Sequence, residues 1–171
     1  MKGYVQVYTG DGKGKTTAAL GLALRAVGAG LKVYIGQFIK SAEYNEIKAL
    51  KQFGAQIVLQ QFGRGRFIRG NPVQADIDVA RKALETIGAA LSSGAYDLVI
   101  ADEANVALGC KLVSEADLIT LIESRPPHVE LVLTGRGAPA AVLERADLVS
   151  EMRPLKHYYD KGVRARDGIE K

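Results

Sequence analysis

Cysteine is nearly missing from this 171-residue sequence. Cys110 stands alone, which excludes an intrachain disulfide and any zinc site built on paired thiolates. Long apolar runs are missing too. Gln6, Asp11, Arg25 and Lys32 interrupt the early hydrophobic stretches, so nothing approaches the roughly 18 apolar residues that a membrane-spanning helix needs. After Lys2 come Gln6 and a glycine-rich polar loop from Gly10, so the N-terminus lacks the apolar centre of a signal peptide. A cytoplasmic protein without membrane attachment is expected. There is no internal repeat, low-complexity tract or linker. No G-x-S-x-G elbow or H-E-x-x-H pair occurs, no motif joins Cys110 to a base, and His128 and His157 lack metal-ligand spacing.

What is present is an ordinary globular composition, 47% hydrophobic and 25% charged, which argues against a disordered or collagen-like chain. The length suits one domain over residues 1–171. The 23 Lys and Arg exceed the 19 Asp and Glu by only four. That excess suits a phosphate-bearing ligand and is too small to imply a nucleic-acid partner, and none is expected. The positive charge is uneven. Arg64, Arg66 and Arg69 crowd one segment, and the stretch 153–171 holds six basic and three acidic residues.

Short β-rich runs alternate with helical patterns, which predicts an α/β fold: a mostly parallel sheet with helices on both faces. Strands are expected at 3–8, 31–39, 55–60, 97–101, 129–134 and 148–152. Helices are expected at 16–27, 46–53, from Val73 through Leu91, from Ser114 to Pro126, and at 139–145. In the fourth of these, Ser114 can cap the helix, Asp117 stands three residues on, and Val113 can staple to Leu118. Residues 62–71 have no period and read as a long loop of the kind that carries function. The tail 153–171 reads as irregular and packed on the domain.

Thr9-Gly10-Asp11-Gly12-Lys13-Gly14-Lys15-Thr16-Thr17 lies between the first predicted strand and helix. Glycines there let backbone N–H groups turn inward around an anion, the helix N-terminus adds partial positive charge, Lys15 supplies a cation and Thr16 offers a hydroxyl to magnesium. The usual G-x-x-x-x-G-K-[ST] spacing would put a glycine where this chain has Thr9. Asp102 and Glu103 end a buried strand, so both are candidates to serve the same metal. Thr134-Gly135-Arg136-Gly137 ends another strand on the same edge, placing Arg136 within reach of phosphates. The residues alone leave hydrolysis, phosphoryl transfer and displacement at another atom of the nucleotide open. A generic P-loop NTPase or kinase would use Glu103 to position water or an acceptor. A nucleotide-responsive binding module is the non-enzymatic alternative.

The chain resembles the ATP:corrinoid adenosyltransferases of the CobA/CobO/BtuR type. The likeness rests on residues 8–19, Leu24-Arg25-Ala26-Val27-Gly28, Gln37-Phe38-Ile39-Lys40, Asp102-Glu103, 134–137 and Glu151-Met152-Arg153-Pro154-Leu155-Lys156-His157. The phosphate loop beginning at Gly10 looks like that family's usual form. The resemblance implies a RecA-like P-loop domain and attack of a Co(I) corrinoid on the 5′ carbon of ATP, with triphosphate as the leaving group. ATP would lie reversed relative to ordinary P-loop proteins. Gly10 through Thr17 would hold the triphosphate, with Lys15 catalytic; Thr16 with Asp102 and Glu103 would serve magnesium, and Arg136 would line the nucleotide site.

On the corrinoid side the resemblance points to Phe62, Arg66 and Phe67, in a segment whose aromatic residues displace the lower cobalt ligand in the family. Here Phe67 and Ile68 stand where a more aromatic pattern is familiar. The resemblance also implies a homodimer and an electron donor such as a flavoprotein. Some members carry an N-terminal extension over the site. This chain starts almost at its first strand, which implies an open site or a lid from elsewhere.

Overall fold

The computed structural model describes residues 2–65, 68 and 70–170. Six strands, β1 (Val5–Thr9), β2 (Val33–Gln37), β3 (Ile57–Gln61), β4 (Leu98–Asp102), β5 (Glu130–Thr134) and β6 (Leu148–Glu151), form one sheet in the order β3-β2-β4-β5-β1-β6. Every pairing is parallel, where the sequence pattern predicted a mostly parallel sheet. Among the described residues six α-helices accompany them: α1 (Lys15–Gly28), α2 (Asn45–Leu50), α3 (Gln74–Ser92), α4 (Ala104–Gly109), α5 (Glu115–Glu123) and α6 (Ala140–Leu143). This is the RecA-like P-loop arrangement: the phosphate-loop strand β1 is separated from β4 by β5.

Alternation along the strands divides the core in two. Val5, Val7, Val99, Ala101, Leu131 and Leu133 pack with α3, α5 and α6 on one face. Tyr8, Val33, Ile35, Leu98, Ile100 and Val132 pack with α1 on the other. Such period-2 patterning is what a sheet covered on both faces demands, and each large side chain fully buried this way stabilises the fold by roughly 1.5–3 kcal/mol.

Helix boundaries follow local chemistry. Ser114 accepts the Asp117 amide at 3.1 Å while its own amide donates to the Asp117 carboxylate at 2.7 Å, so the predicted cap of α5 is present. The predicted helix 46–53 is shorter. After Leu50 the chain tightens into 3₁₀ turns over Lys51–Gln56, broken at Gly54, whose φ is 54°. Two elements were not anticipated: α4, and a single 3₁₀ turn at Tyr158–Lys161 in the tail. Both are too short to show a period.

Candidate functional site

Parallel strands bring all their C-terminal ends to one edge, the usual place for ligands in such sheets. The edge gathers Thr9, Gln37, Asp102 and Thr134, the last residues of β1, β2, β4 and β5.

Thr9 is the last residue of β1 and nearly buried. Its carbonyl accepts the Met152 amide at 2.9 Å, and its hydroxyl accepts the Ala138 amide at 3.3 Å. The turn begins one residue later, where Gly10 has φ 90°, so Gly10 takes the conformational role that the common motif gives to position 9. The loop also leans on the strand beside it. The Gly12 amide donates to the Met152 carbonyl at 2.7 Å, and a Cβ on Gly10 or Gly12 would lie 2.5 Å or 2.7 Å from that same oxygen.

Lys15 opens α1 and folds back over the loop, donating to the carbonyls of Gly10 at 2.6 Å and Gly12 at 2.7 Å. Burial, and secondarily the Arg136 charge, pull its pKa below the ordinary lysine value. An anion on the loop would restore the favourable surroundings of that charge. Asp11, Lys13 and Thr17 are exposed around the loop, Gly14 turns it into the helix with φ 121°, and Arg136 is exposed beyond β5. Lys13 is engaged by the tail: its ammonium reaches the Tyr158 hydroxyl at 3.2 Å, the Ile169 carbonyl at 3.0 Å and the Glu170 carboxylate at 3.1 Å.

Asp102 is the hub. It is fully buried, and its carboxylate accepts four hydrogen bonds. Thr16 Oγ1 and Thr134 Oγ1 donate to Oδ1 at 2.9 and 2.7 Å, and Gln37 Nε2 and Lys40 Nζ donate to Oδ2 at 2.9 and 3.0 Å. Lys40 also donates to Thr16 Oγ1 at 2.9 Å. Glu103 stands just before α4 in the left-handed region, φ 62°, a strained conformation for a residue with a side chain. Its amide is held by Thr134 Oγ1 at 2.9 Å. Burial, then the neighbouring Asp102, push its carboxyl pKa up.

A hard divalent cation takes oxygen ligands. Thr16 and Asp102 present oxygens at the head of the phosphate loop with Glu103 next to them, so the donor set fits magnesium. Among the described residues no group of three or more His, Cys, Asp or Glu is placed to hold a metal; phosphate oxygens and water would complete such a shell, as is usual for magnesium.

The 62–65 segment is tied to the chain after β2. The Phe62 amide donates to the Gln37 carbonyl and the Gly63 amide to the Lys40 carbonyl, each at 2.9 Å, and Gly63 sits so close to Ile39 that a Cβ would lie 2.3 Å from its carbonyl oxygen. Phe62 is half-buried against the α3-side core. Arg64 pairs with the buried Asp76 of α3 at 3.0 Å. A narrow cleft is lined by Phe38, Phe62, Arg64 and Ile68, and Leu112 lines both this cleft and a cavity of about 470 Å³ bounded by Arg81, Leu84, Leu108 and Lys111. Arg66 and Phe67, the other residues expected on the corrinoid side, lie outside the described residues.

The loop, Thr16, Asp102 and Glu103 thus come together as the sequence pattern expects. Gln37 and Lys40 were not singled out as site residues. Their signal was available: two polar residues where a fully buried strand meets the ligand edge.

The sequence profile of the family described as ATP:corrinoid adenosyltransferase BtuR/CobO/CobP matches residues 1–170. The corrinoid adenosyltransferase of Escherichia coli K12 is 35% identical over 170 residues, covering 99% of this chain and 86% of that protein. CobA of Salmonella typhimurium LT2, also a corrinoid adenosyltransferase, is 36% identical with the same coverage. That of Pseudomonas aeruginosa is 34% identical over 99% of this chain and 84% of its own length. Among solved structures, the flagellar accessory protein FlaH of Methanocaldococcus jannaschii superposes with a TM-score of 0.59 at 10% identity, over 88% of this chain and 71% of that one. That likeness concerns the fold alone.

Proposed function

The chain belongs to the ATP:corrinoid adenosyltransferase family, and from that membership we propose how its site divides the work. The protein is a transferase acting on ATP and a corrinoid. In our reading the Co(I) centre of the corrinoid substrate attacks the 5′ carbon of ATP. The cobalt electron pair forms the cobalt–carbon bond while the C5′–O bond breaks and its pair leaves with inorganic triphosphate. Co(I) is a strong nucleophile that needs no general base, so the protein's task is alignment and stabilisation of the departing polyanion.

The loop from Gly10 to Thr17 holds the triphosphate. Its amides and Lys15 meet the charge that grows on the leaving oxygen, with Lys13 and Arg136 at the margins. Thr16 and Asp102, with Glu103 beside them, would hold magnesium, which would neutralise part of the polyphosphate charge. The corrinoid lies against the cleft beside Phe62, with Arg66 and Phe67 in the same segment. A cytoplasmic homodimer served by a flavoprotein-type electron donor belongs to the same proposal. Among the described residues no helix is long and apolar enough to cross a membrane.

The observation that carries this reading is the convergence, on one loop, of Lys15 against the Gly10 and Gly12 carbonyls and of Thr16 against Asp102. Phosphorus NMR of the spent reaction tests it. Inorganic triphosphate is expected, whereas ADP with orthophosphate would favour an NTPase.

A further inference from the structure

Lys40 has no part in the roles above, yet its ammonium lies between the two oxygens proposed for the metal, 2.9 Å from Thr16 Oγ1 and 3.0 Å from Asp102 Oδ2. Its side chain is only 19% exposed and that of Asp102 1%. We propose that Lys40 occupies the magnesium position of the nucleotide-free protein as a built-in cation, yields it when metal-bound ATP arrives, and then becomes a ligand of the triphosphate. The inference rests on the nucleotide-site reading and adds a residue to it.

Three observations carry the argument. First, of the four groups that donate to the Asp102 carboxylate, three are neutral: Thr16, Thr134 and Gln37. A fully buried carboxylate needs a counter-charge, and Lys40 supplies it. Second, Thr16 Oγ1 gives its hydrogen to Asp102 and accepts from Lys40 with its lone pairs. A magnesium ion takes those lone pairs at about 2.1 Å, so ammonium and metal compete for one oxygen and repel each other at that range. They alternate there.

Third, the backbone around Lys40 is fixed while its side chain keeps an edge open to solvent. The Phe38 amide is bonded to the Asp102 carbonyl at 3.1 Å, and the Lys40 carbonyl accepts the Gly63 amide at 2.9 Å. A displaced ammonium therefore stays tethered next to Thr16, in the first turn of α1, where the loop's phosphates would lie. It flanks the loop together with Lys15, which is engaged with the Gly10 and Gly12 carbonyls.

The test uses the full chain, ATP, inorganic tripolyphosphate, and Mn²⁺ as a paramagnetic stand-in for magnesium, read by electron paramagnetic resonance and calorimetry. Lys40→Met removes both charge and donor. Lys40→Gln removes the charge and keeps an amide that can donate to Thr16 and Asp102, so it provides a folded protein if the first variant is too unstable. In either variant the Mn²⁺ concentration that half-fills the ATP-bound protein falls about tenfold, because the competing positive charge is gone. At saturating Mn²⁺ the dissociation constant of tripolyphosphate rises about tenfold, because a charged hydrogen bond is lost.

The two changes run in opposite directions, which a merely structural role does not produce, since damage to the site weakens both. Both constants weakening, or neither moving, overturns the Lys40 assignment and leaves the nucleotide site standing. A wild-type chain that binds no metal-bound ATP overturns the nucleotide site itself, and this inference with it.

Discussion

Thr16 and Asp102 stand 86 positions apart in sequence, and the threonine hydroxyl donates to Asp102 Oδ1 at 2.9 Å. The contact joins the first turn of α1 to the end of β4 and fixes the oxygen pair proposed to hold the metal. Asp102 accepts from four donors, so Asp102→Asn sets an NH₂ group against at least one of them and removes the counter-charge of Lys40. Breaking a buried ion pair in this way costs about 3–5 kcal/mol. Urea melts are expected to show a loss of that size, and metal-dependent ATP binding is expected to disappear. A variant of wild-type stability that still binds metal-bound ATP would remove Asp102 from the centre of the site.

Lys15→Ala separates stability from catalysis. The lysine bonds two carbonyls of its own loop and none of the core, so the melting temperature is expected to move little. Turnover is expected to fall by about 100-fold or more, the scale of losing one charged donor to a developing anion. Steady-state kinetics beside a thermal melt checks this, and wild-type turnover would exclude Lys15 from leaving-group stabilisation.

Gly12 shows that the loop's glycines answer to the neighbouring strand as well as to phosphate. A methyl at Gly12 would lie 2.7 Å from the Met152 carbonyl, the acceptor of its own amide. Gly12→Ala must therefore push the loop off the residues that follow β6. Overpacking of this kind costs about 1–3 kcal/mol, and ATP affinity is expected to drop with it. Calorimetric titration of ATP would show that loss, and unchanged affinity would mean that the loop tolerates displacement.

The tail gives a pH dependence. Hydrogen bonds from Arg166 and Tyr158 hold the Glu170 carboxyl far below its ordinary value of 4.5. A group whose pKa is depressed in the docked state stabilises docking above the undocked pKa, and the effect is lost as pH falls through the lower, docked value. Tyr158 ring resonances should therefore keep their docked positions from neutral pH down to about 4.5 and move toward those of a free tyrosine only in stronger acid. Glu170→Gln should show the undocked positions at neutral pH. A docked spectrum in that variant would mean that Glu170 does not hold the tail.

Strand positions were legible because a sheet covered on both faces imposes near-continuous apolar runs with period-2 sorting, as in Leu98 to Ala101. The phosphate loop was legible because glycine, lysine and threonine at fixed spacing have few other uses between a strand and a helix. Thr9 looked like a departure until Gly10, with its φ of 90°, proved to start the turn. Gln37 and Lys40 were visible as polar residues at the end of a buried strand, but their partners were not: Lys40 reaches Thr16 across 24 positions and Asp102 across 62, and no local pattern encodes such a meeting. The tail's hold on Lys13 is similar in kind. It depends on single polar contacts from Tyr158 and Glu170, which leave no period to read. Helix α4 is six residues long, less than two turns, and that is too little for amphipathic spacing to register.

The most direct test of the account is to incubate the purified chain with magnesium, ATP and chemically generated Co(I) corrinoid in the absence of oxygen, following cobalt–carbon bond formation and triphosphate together. The account predicts a light-sensitive alkyl-cobalt product and inorganic triphosphate in equal amounts. ATP bound and consumed to ADP and orthophosphate, with no light-sensitive product, would contradict it.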